Sequence, residues 1–151
     1  MKKSKIIFSV LISVCFGILI GGYLFSQSQP RSLLAINRCQ NCLTHEDLLG
    51  LLASVGIQKF PGLMPFKIFE TDKTVVMKHP FSSDRIHYLI IPKKDIKNIG
   101  EISEANAQYV TDAFFAARWI TEREKLSKYR IYTNGGGSQD VTYLHFHLVA
   151  E

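Results

Sequence analysis

Tyr143-Leu144-His145-Phe146-His147-Leu148-Val149 is the stretch whose reading decides the fold. Leu144, Phe146 and Leu148 alternate with Tyr143, His145 and His147, the period-two pattern of a strand with one face in a core. Two imidazoles two residues apart on the other face add little to packing, so His145 and His147 are candidates for chemistry. They suit either paired metal ligation, completed by His79 or His87, or a nucleophile with a helper. The preceding loop, Asn134-Gly135-Gly136-Gly137-Ser138-Gln139, bears on that choice. Glycines accept the positive φ values that let consecutive backbone N–H groups turn toward an anion, although the same run also serves as an ordinary flexible connection. A glycine-rich anion cradle leading into two histidines favours phosphoryl or nucleotidyl chemistry over a metal site.

Working outward, Tyr129–Thr133 is the strand before that loop. A long helix is expected from Ser103, its N-cap, to about Leu126, with Ala107, Val110, Phe114 and Ala117 on its apolar face and Ala113, Trp119 and Ile120 widening it. His87–Pro92 is a near-continuous apolar run and reads as a central strand. Phe66–Glu70 and Thr74–Lys78 are β-prone runs split by Thr71-Asp72-Lys73, a hairpin-like pair. About five strands and one long helix predict an α+β domain, an antiparallel sheet with the helix on one face. Ahead of it, Thr44 caps a short helix over 45–55, with Leu48, Leu51, Leu52 and Val55 at i, i+3, i+4 and i+7, and Gly56 as its stop. Phe60 to Phe66, with Pro61, Gly62 and Pro65, is an apolar loop expected to pack on the core, with pocket lining or membrane contact as alternatives. No internal repeat or low-complexity tract is present.

The chain begins with Lys2, Lys3 and Lys5 ahead of an uncharged run from Ile6 to Phe25. Twenty residues at about 1.5 Å each span roughly 30 Å, the hydrocarbon thickness of a bilayer. The flanking lysines predict a cytoplasmic N-terminus and an exported remainder. The length favours an uncleaved anchor, while Ser26 and Ser28 keep a cleaved signal peptide open. The domain therefore lies outside the cytoplasm, membrane-anchored, or secreted or periplasmic if the segment is removed. The expected organisation is 1–28 as anchor or signal, 29–65 as linker, Cys39-x-x-Cys42 and short helix, and 66–151 as the α+β domain. The whole chain has 18 Lys+Arg against 13 Asp+Glu, a formal +5. Without residues 1–28 the balance is fifteen basic to thirteen acidic residues, or +2, and no basic stripe interleaved with aromatics remains to suggest nucleic acid. Three cysteines in 151 residues exclude a disulfide scaffold. For Cys39 and Cys42, a disulfide suits an exported domain, and a redox role lacks the βαβ context.

The motifs in order resemble the histidine triad (HIT) family, in particular its Hint branch of nucleoside phosphoramidate hydrolases. His87-Tyr88-Leu89-Ile90-Ile91-Pro92-Lys93-Lys94-Asp95-Ile96 resembles the family's H-x-L-V-I-P-K-x-H-I strand. Asn134 to Val141 resembles its glycine-rich loop ending in Q-S-V, Tyr143–Val149 falls on the H-x-H-x-H strand, and Phe69-Glu70-Thr71-Asp72 resembles its early hairpin. The resemblance implies a HIT-like sheet and an attack by His145 on an α-phosphorus, giving a nucleotidyl-histidine that water releases. His147 would hydrogen-bond a non-bridging phosphate oxygen. Gln139 with the Gly137–Ser138 backbone would hold the phosphate, and Asn134 would contact the phosphate or ribose side. No cofactor is required. Some Hint-branch members hold structural zinc, which here would fall on Cys39, Cys42, His87 and Tyr143, with tyrosine a poor ligand. Such proteins commonly pair through the long helix and neighbouring strand, a homodimer face that Phe115 and Trp119 suit.

Three positions depart from the family pattern. Tyr143 stands for the first triad histidine, a candidate catalytic residue that can still donate a hydrogen bond; Asp140 stands for the serine after the glutamine and His79 for a ribose-gripping aspartate, both candidate substrate contacts. The expected function is a hydrolase or transferase acting on a nucleotide-type small molecule, whether phosphoramidate, dinucleoside polyphosphate or lipid-linked nucleotide. The alternatives are a catalytically degenerate module that binds nucleotide or a partner and, more weakly, a His-x-His metal-binding domain.

Overall fold

The computed structural model describes residues 2–25, 45–135 and 137–151. The chain segments into two compact units, Met1–Gln40 and Asn41–Glu151. In the first, helix α1 spans Lys2–Phe25, and its Lys5–Tyr23 segment is long and apolar enough to cross a membrane, a test that a signal sequence also meets.

In the second unit, strands β1 (Lys67–Glu70), β2 (Thr74–Lys78), β3 (Ile86–Pro92), β4 (Arg130–Tyr132) and β5 (Phe146–Ala150) form one antiparallel sheet in the order β1-β2-β3-β5-β4. β3 lies between β2 and β5 with both faces covered, which is why its sequence is apolar almost throughout rather than alternating. The register places Met77 opposite Leu89, Leu89 opposite His147, and His147 opposite Tyr132, a row across four strands on one face.

Helix α3 (Ala107–Arg123) covers the opposite face. Its Ala113, Ala116, Ala117 and Ile120 pack with Val76, Ile90, Leu144, Phe146 and Leu148 in the main core, and the three alanines let the helix approach the sheet closely. The helix starts at Ala107 and not behind Ser103. Asn106 accepts the Ser103 N–H at 2.8 Å and returns its own N–H to the Ser103 carbonyl at 3.1 Å, closing a turn first. At the other end Lys125 takes φ 52° and the Leu126 N–H reaches the Thr121 carbonyl at 2.9 Å, a Schellman-type stop three residues before the expected end.

Helix α2 runs from His45 to Lys59, straight through Gly56, whose carbonyl accepts the Phe60 N–H at 2.9 Å. One glycine weakens a helix without ending it. Its inner face is Leu51, Ser54, Val55 and Ile57, while Leu48 and Leu52 stay about half exposed. Ser54 is buried because its hydroxyl donates to Asp95 Oδ2 at 2.8 Å, beyond the end of β3. Ile57 joins Val75, Met77, Ile91 and Tyr143 in a second core on the histidine-bearing face. The sheet therefore carries helices on both faces, not one, and the second helix walls the site. Met64, from the apolar loop, packs against this second core and also lines the cleft above it. Thr44, Cys39, Cys42 and Gly136 lie outside the described residues.

Candidate active site

Residues before β5 keep the alternation without regular pairing. Leu144 enters the main core with Phe146 and Leu148, and Tyr143, His145 and His147 all border one cleft on the other face. The cleft has a volume of about 240 Å³. Ala53 and Ile57 of α2, Met64, Met77, Leu89, Ile91 and Val141 make it predominantly apolar, and Asn134, Asp140, His79, His145 and His147 supply its polar groups. Of the residues singled out in the sequence, Gly137, Ser138 and Gln139 are not in this wall. Gly137 takes φ 82° and Ser138 N–H closes a turn on the Gly135 carbonyl at 3.1 Å. Gln139 is buried, with its amide donating to the Lys97 carbonyl at 3.1 Å. Its side chain pins the loop to the segment after β3 instead of facing the cleft.

His145 Nδ1 lies 2.6 Å from the Tyr143 carbonyl. A carbonyl only accepts, so Nδ1 carries the hydrogen and Nε2 carries the lone pair. Burial is the main cause that holds the ring below the ordinary histidine pKa, with His79 adding to it and the Tyr143 carbonyl and Asp140 opposing. At neutral pH this imidazole is uncharged and of fixed tautomer, a state in which a ring nitrogen can act as a nucleophile.

The partners of His147 form a chain. Asp84 Oδ2 accepts the Ser82 hydroxyl at 3.1 Å. Ser82 Oγ, its hydrogen spent, then accepts from His87 Nδ1 at 2.7 Å, with Asp84 Oδ2 a further 3.5 Å neighbour of that nitrogen. That leaves a lone pair on His87 Nε2, which accepts from His147 Nδ1 at 2.9 Å. His147 Nε2 is consequently a bare lone pair, buried and without a hydrogen-bond partner. The tautomers follow from this network. Burial first, then the neighbouring His145, His87 and His79, push the pKa of His147 down to about 4. His87 is lowered chiefly by burial and by His79, against Asp84. The His79 ring stacks on His87 with centroids 4.2 Å apart. Tyr132 stacks on His147 at 4.7 Å and 6°, and His145 meets it edge-on at 4.9 Å.

Tyr143 is almost wholly buried and its hydroxyl donates to the Pro92 carbonyl at 2.8 Å. Of the zinc set that the resemblance implies, Tyr143 does not offer a ligand, since its hydroxyl donates to the Pro92 carbonyl, and Cys39 and Cys42 lie outside the described residues.

Sequence reasoning missed Tyr132, Ser82, Asp84 and the α2 wall. Tyr132 was discoverable once β4 was placed beside β5. Ser82 and Asp84 carry no motif, and their role comes from a loop fold that spacing does not encode.

An antiparallel sheet with His145 and His147 beside a loop of glycines is the arrangement of a fold that binds or hydrolyses nucleotides, and the comparisons with known proteins give its family. Residues 64–151 match the family model described as "Scavenger mRNA decapping enzyme C-term binding". The chain belongs to this family, within the histidine triad proteins. An uncharacterized HIT-like protein of Buchnera aphidicola is 31% identical over 93 residues, 58% of this chain and 83% of that one. An adenosine 5'-monophosphoramidase of Saccharomyces cerevisiae is 30% identical over 86 residues, 56% of this chain and 52% of that one. Among solved structures, a HIT family hydrolase from Clostridium thermocellum superposes with a TM-score of 0.58 at 32% identity, covering 66% of this chain and 89% of that one. A HIT family hydrolase from Legionella pneumophila gives 0.56 at 27% identity, covering 62% and 88%.

Proposed function

We propose that this protein hydrolyses or transfers a nucleotide by cleavage at the α-phosphate, through a nucleotidyl-His145 intermediate. The observation that carries the reading is the Nδ1 hydrogen bond of His145 to the Tyr143 carbonyl at 2.6 Å, which leaves Nε2 as the nucleophilic atom of a neutral ring beside the cleft. Nε2 forms a bond to phosphorus as the bond to the leaving amine, alcohol or phosphate breaks. Water then attacks the same phosphorus, His145 leaves, and a nucleoside monophosphate is released. Splitting one displacement into two lowers each barrier.

His147 borders the site of attack, and a phosphate entering beside it favours its protonated form, which donates to a non-bridging oxygen. Asn134 is the further phosphate or ribose contact, and Asp140 and His79 face the leaving group or sugar; the Gly137–Ser138 backbone, outside the cleft wall, reaches a phosphate only if the loop moves inward. The apolar wall takes the base or an apolar leaving group. A phosphoramidate, a dinucleoside polyphosphate and a lipid-linked nucleotide are the substrates to compare. Helix α1 anchors or exports the domain, which acts outside the cytoplasm, and exposed Phe115 and Trp119 on α3 offer a homodimer face.

One observation favours a second reading, binding without turnover: the exposed Asp140 carboxylate borders the cleft where it would repel a phosphate. Mass spectrometry after brief exposure to each substrate separates the two. A nucleotide adduct on His145, absent from His145→Ala, supports turnover. Full turnover by His145→Ala refutes the mechanism.

A further inference from the structure

Three histidines from three different elements meet beneath the cleft. His79 follows β2, His87 lies on β3 and His147 on β5, and one nitrogen from each falls within 4.8 Å of the others. His87 and His147 are buried and His79 is half-buried. We propose that these three side chains bind a divalent transition-metal ion of the zinc class through His87 Nε2, His147 Nδ1 and a ring nitrogen of His79, leaving a fourth position open toward the cleft.

The ligand chemistry selects the metal. Three imidazoles with no carboxylate among them suit zinc, copper or nickel and not magnesium or calcium, which take oxygen ligands. Three protein ligands with one open position is the arrangement of reactive zinc sites, whereas structural ones are closed by four. His87 Nε2 and His147 Nδ1 already face each other at 2.9 Å. Zinc–nitrogen bonds of about 2.0–2.1 Å in a tetrahedron set ligand nitrogens roughly 3.3–3.4 Å apart, so this pair opens by only a few tenths of an ångström. His79 is the ligand that has to swing. It has the room, since its Nδ1 is held only by the exposed Phe81 N–H at 3.2 Å, a donor that water can satisfy.

A second observation points the same way. Histidines that ligate metals are usually held through their other ring nitrogen by a carboxylate or similar acceptor. His87 has such support on Nδ1, from Ser82 Oγ at 2.7 Å and Asp84 Oδ2 at 3.5 Å. This support points its Nε2 lone pair at the cluster.

Proton accounting is simple. His87 Nε2 already carries a lone pair. The ion replaces the hydrogen on His147 Nδ1, and that hydrogen moves through water to the unpartnered Nε2 of the same ring. The ring stays neutral, nothing is oxidised or reduced, and the buried orphan becomes an N–H. His147 then offers a hydrogen-bond donor without having to be protonated. That last consequence rests on the nucleotide reading, but the binding itself does not.

The test is zinc titration by calorimetry of the full chain carrying Cys39→Ser and Cys42→Ser, stripped of metal and without nucleotide, with cobalt(II) absorption as a second readout. One equivalent of zinc and a visible cobalt band of low-coordinate type are expected. Because His87 and His147 are buried, the deciding variants are His79→Ala and Asp84→Asn. Loss of the ligand His79 should weaken zinc beyond the roughly 100-fold that supporting residues reach, and Asp84→Asn should weaken it about 10–100-fold. His145→Gln should bind normally. Absence of stoichiometric binding, binding indifferent to His79→Ala, or binding lost in His145→Gln each overturns the proposal. None of these outcomes depends on whether the protein turns over a nucleotide.

Discussion

Replacing Tyr143 by phenylalanine asks whether the residue at the first triad position acts in chemistry or in packing. The ring is 1% exposed and lies among Ile57, Val75, Met77 and Ile91. Phenylalanine keeps that ring and its volume, so the substitution takes away the hydroxyl and its hydrogen bond to the Pro92 carbonyl. An intramolecular hydrogen bond of this kind contributes about 0.5–1.5 kcal/mol net, and a buried carbonyl left short of a partner costs about 1–3 kcal/mol. A carbonyl that loses one partner is tolerated better than an orphaned N–H, so the lower end applies. Tyr143→Phe should therefore lose about 1 kcal/mol, which lowers Tm by about 4–8 °C in a domain near 100 residues. Thermal and urea unfolding read the stability change, and kcat on whichever nucleotide the protein turns over should fall less than about threefold, under about 0.7 kcal/mol in barrier. Tyr143→His should lose more stability, because an imidazole enters an apolar pocket shaped for a phenol. A Tyr143→Phe protein of unchanged stability, or one whose kcat falls more than tenfold at unchanged Tm, would refute the assignment of this side chain to packing.

Three more predictions follow from the same geometry. His147 has a folded pKa of about 4 against an ordinary 6.5, so below pH 6.5 the unfolded chain binds the extra proton. Stability is full above pH 6.5 and declines toward pH 4, by about 3 kcal/mol from this residue. Urea unfolding of EDTA-treated protein at pH 7.5 and 4.5 measures the decline, which His147→Phe should flatten and an equal slope in both proteins would contradict. Ser54→Ala should cost about 1–2 kcal/mol by leaving Asp95 Oδ2 short of a donor, and hydrogen exchange should show α2 opening more readily. Leu148→Ala, at the centre of the main core, should cost about 2–5 kcal/mol in denaturant unfolding. A smaller loss there would mean that α3 closes onto the cavity.

The strand pattern was legible wherever one residue's neighbours are set by alternation. Leu144, Phe146 and Leu148 enter the core as their spacing predicts, although regular pairing begins only at Phe146. Helix α2 shows where such reasoning stops. Spacing among leucines pointed the helix inward through Leu48 and Leu52, but its buried face turns toward Ser54 because Asp95, forty-one residues away, supplies an acceptor. Gln139 shows the same limit, since the Lys97 carbonyl that holds it belongs to another segment. The histidines at 145 and 147 were visible as a pair. That His147 hands its Nδ1 hydrogen to His87, which in turn leans on Ser82 and Asp84, depends on the fold of the connection between β2 and β3. Polar partners distant in sequence decide these cases, and periodicity carries no record of them.

The row Met77, Leu89, His147 and Tyr132 runs across one face of a sheet whose other face is the main core. Along β5, Phe146, Leu148 and Ala150 thus answer to packing, and His147 between them answers to the cleft. Variation at His147 and Tyr132 can change what the protein recognises with little disturbance of Phe146 and Leu148, the residues on which cooperative unfolding depends. A library saturating positions 146–150 and sorted separately for folding and for ligand capture should give two interleaved tolerance profiles. Such a sheet is evolvable because neighbouring residues on one strand face different selective demands.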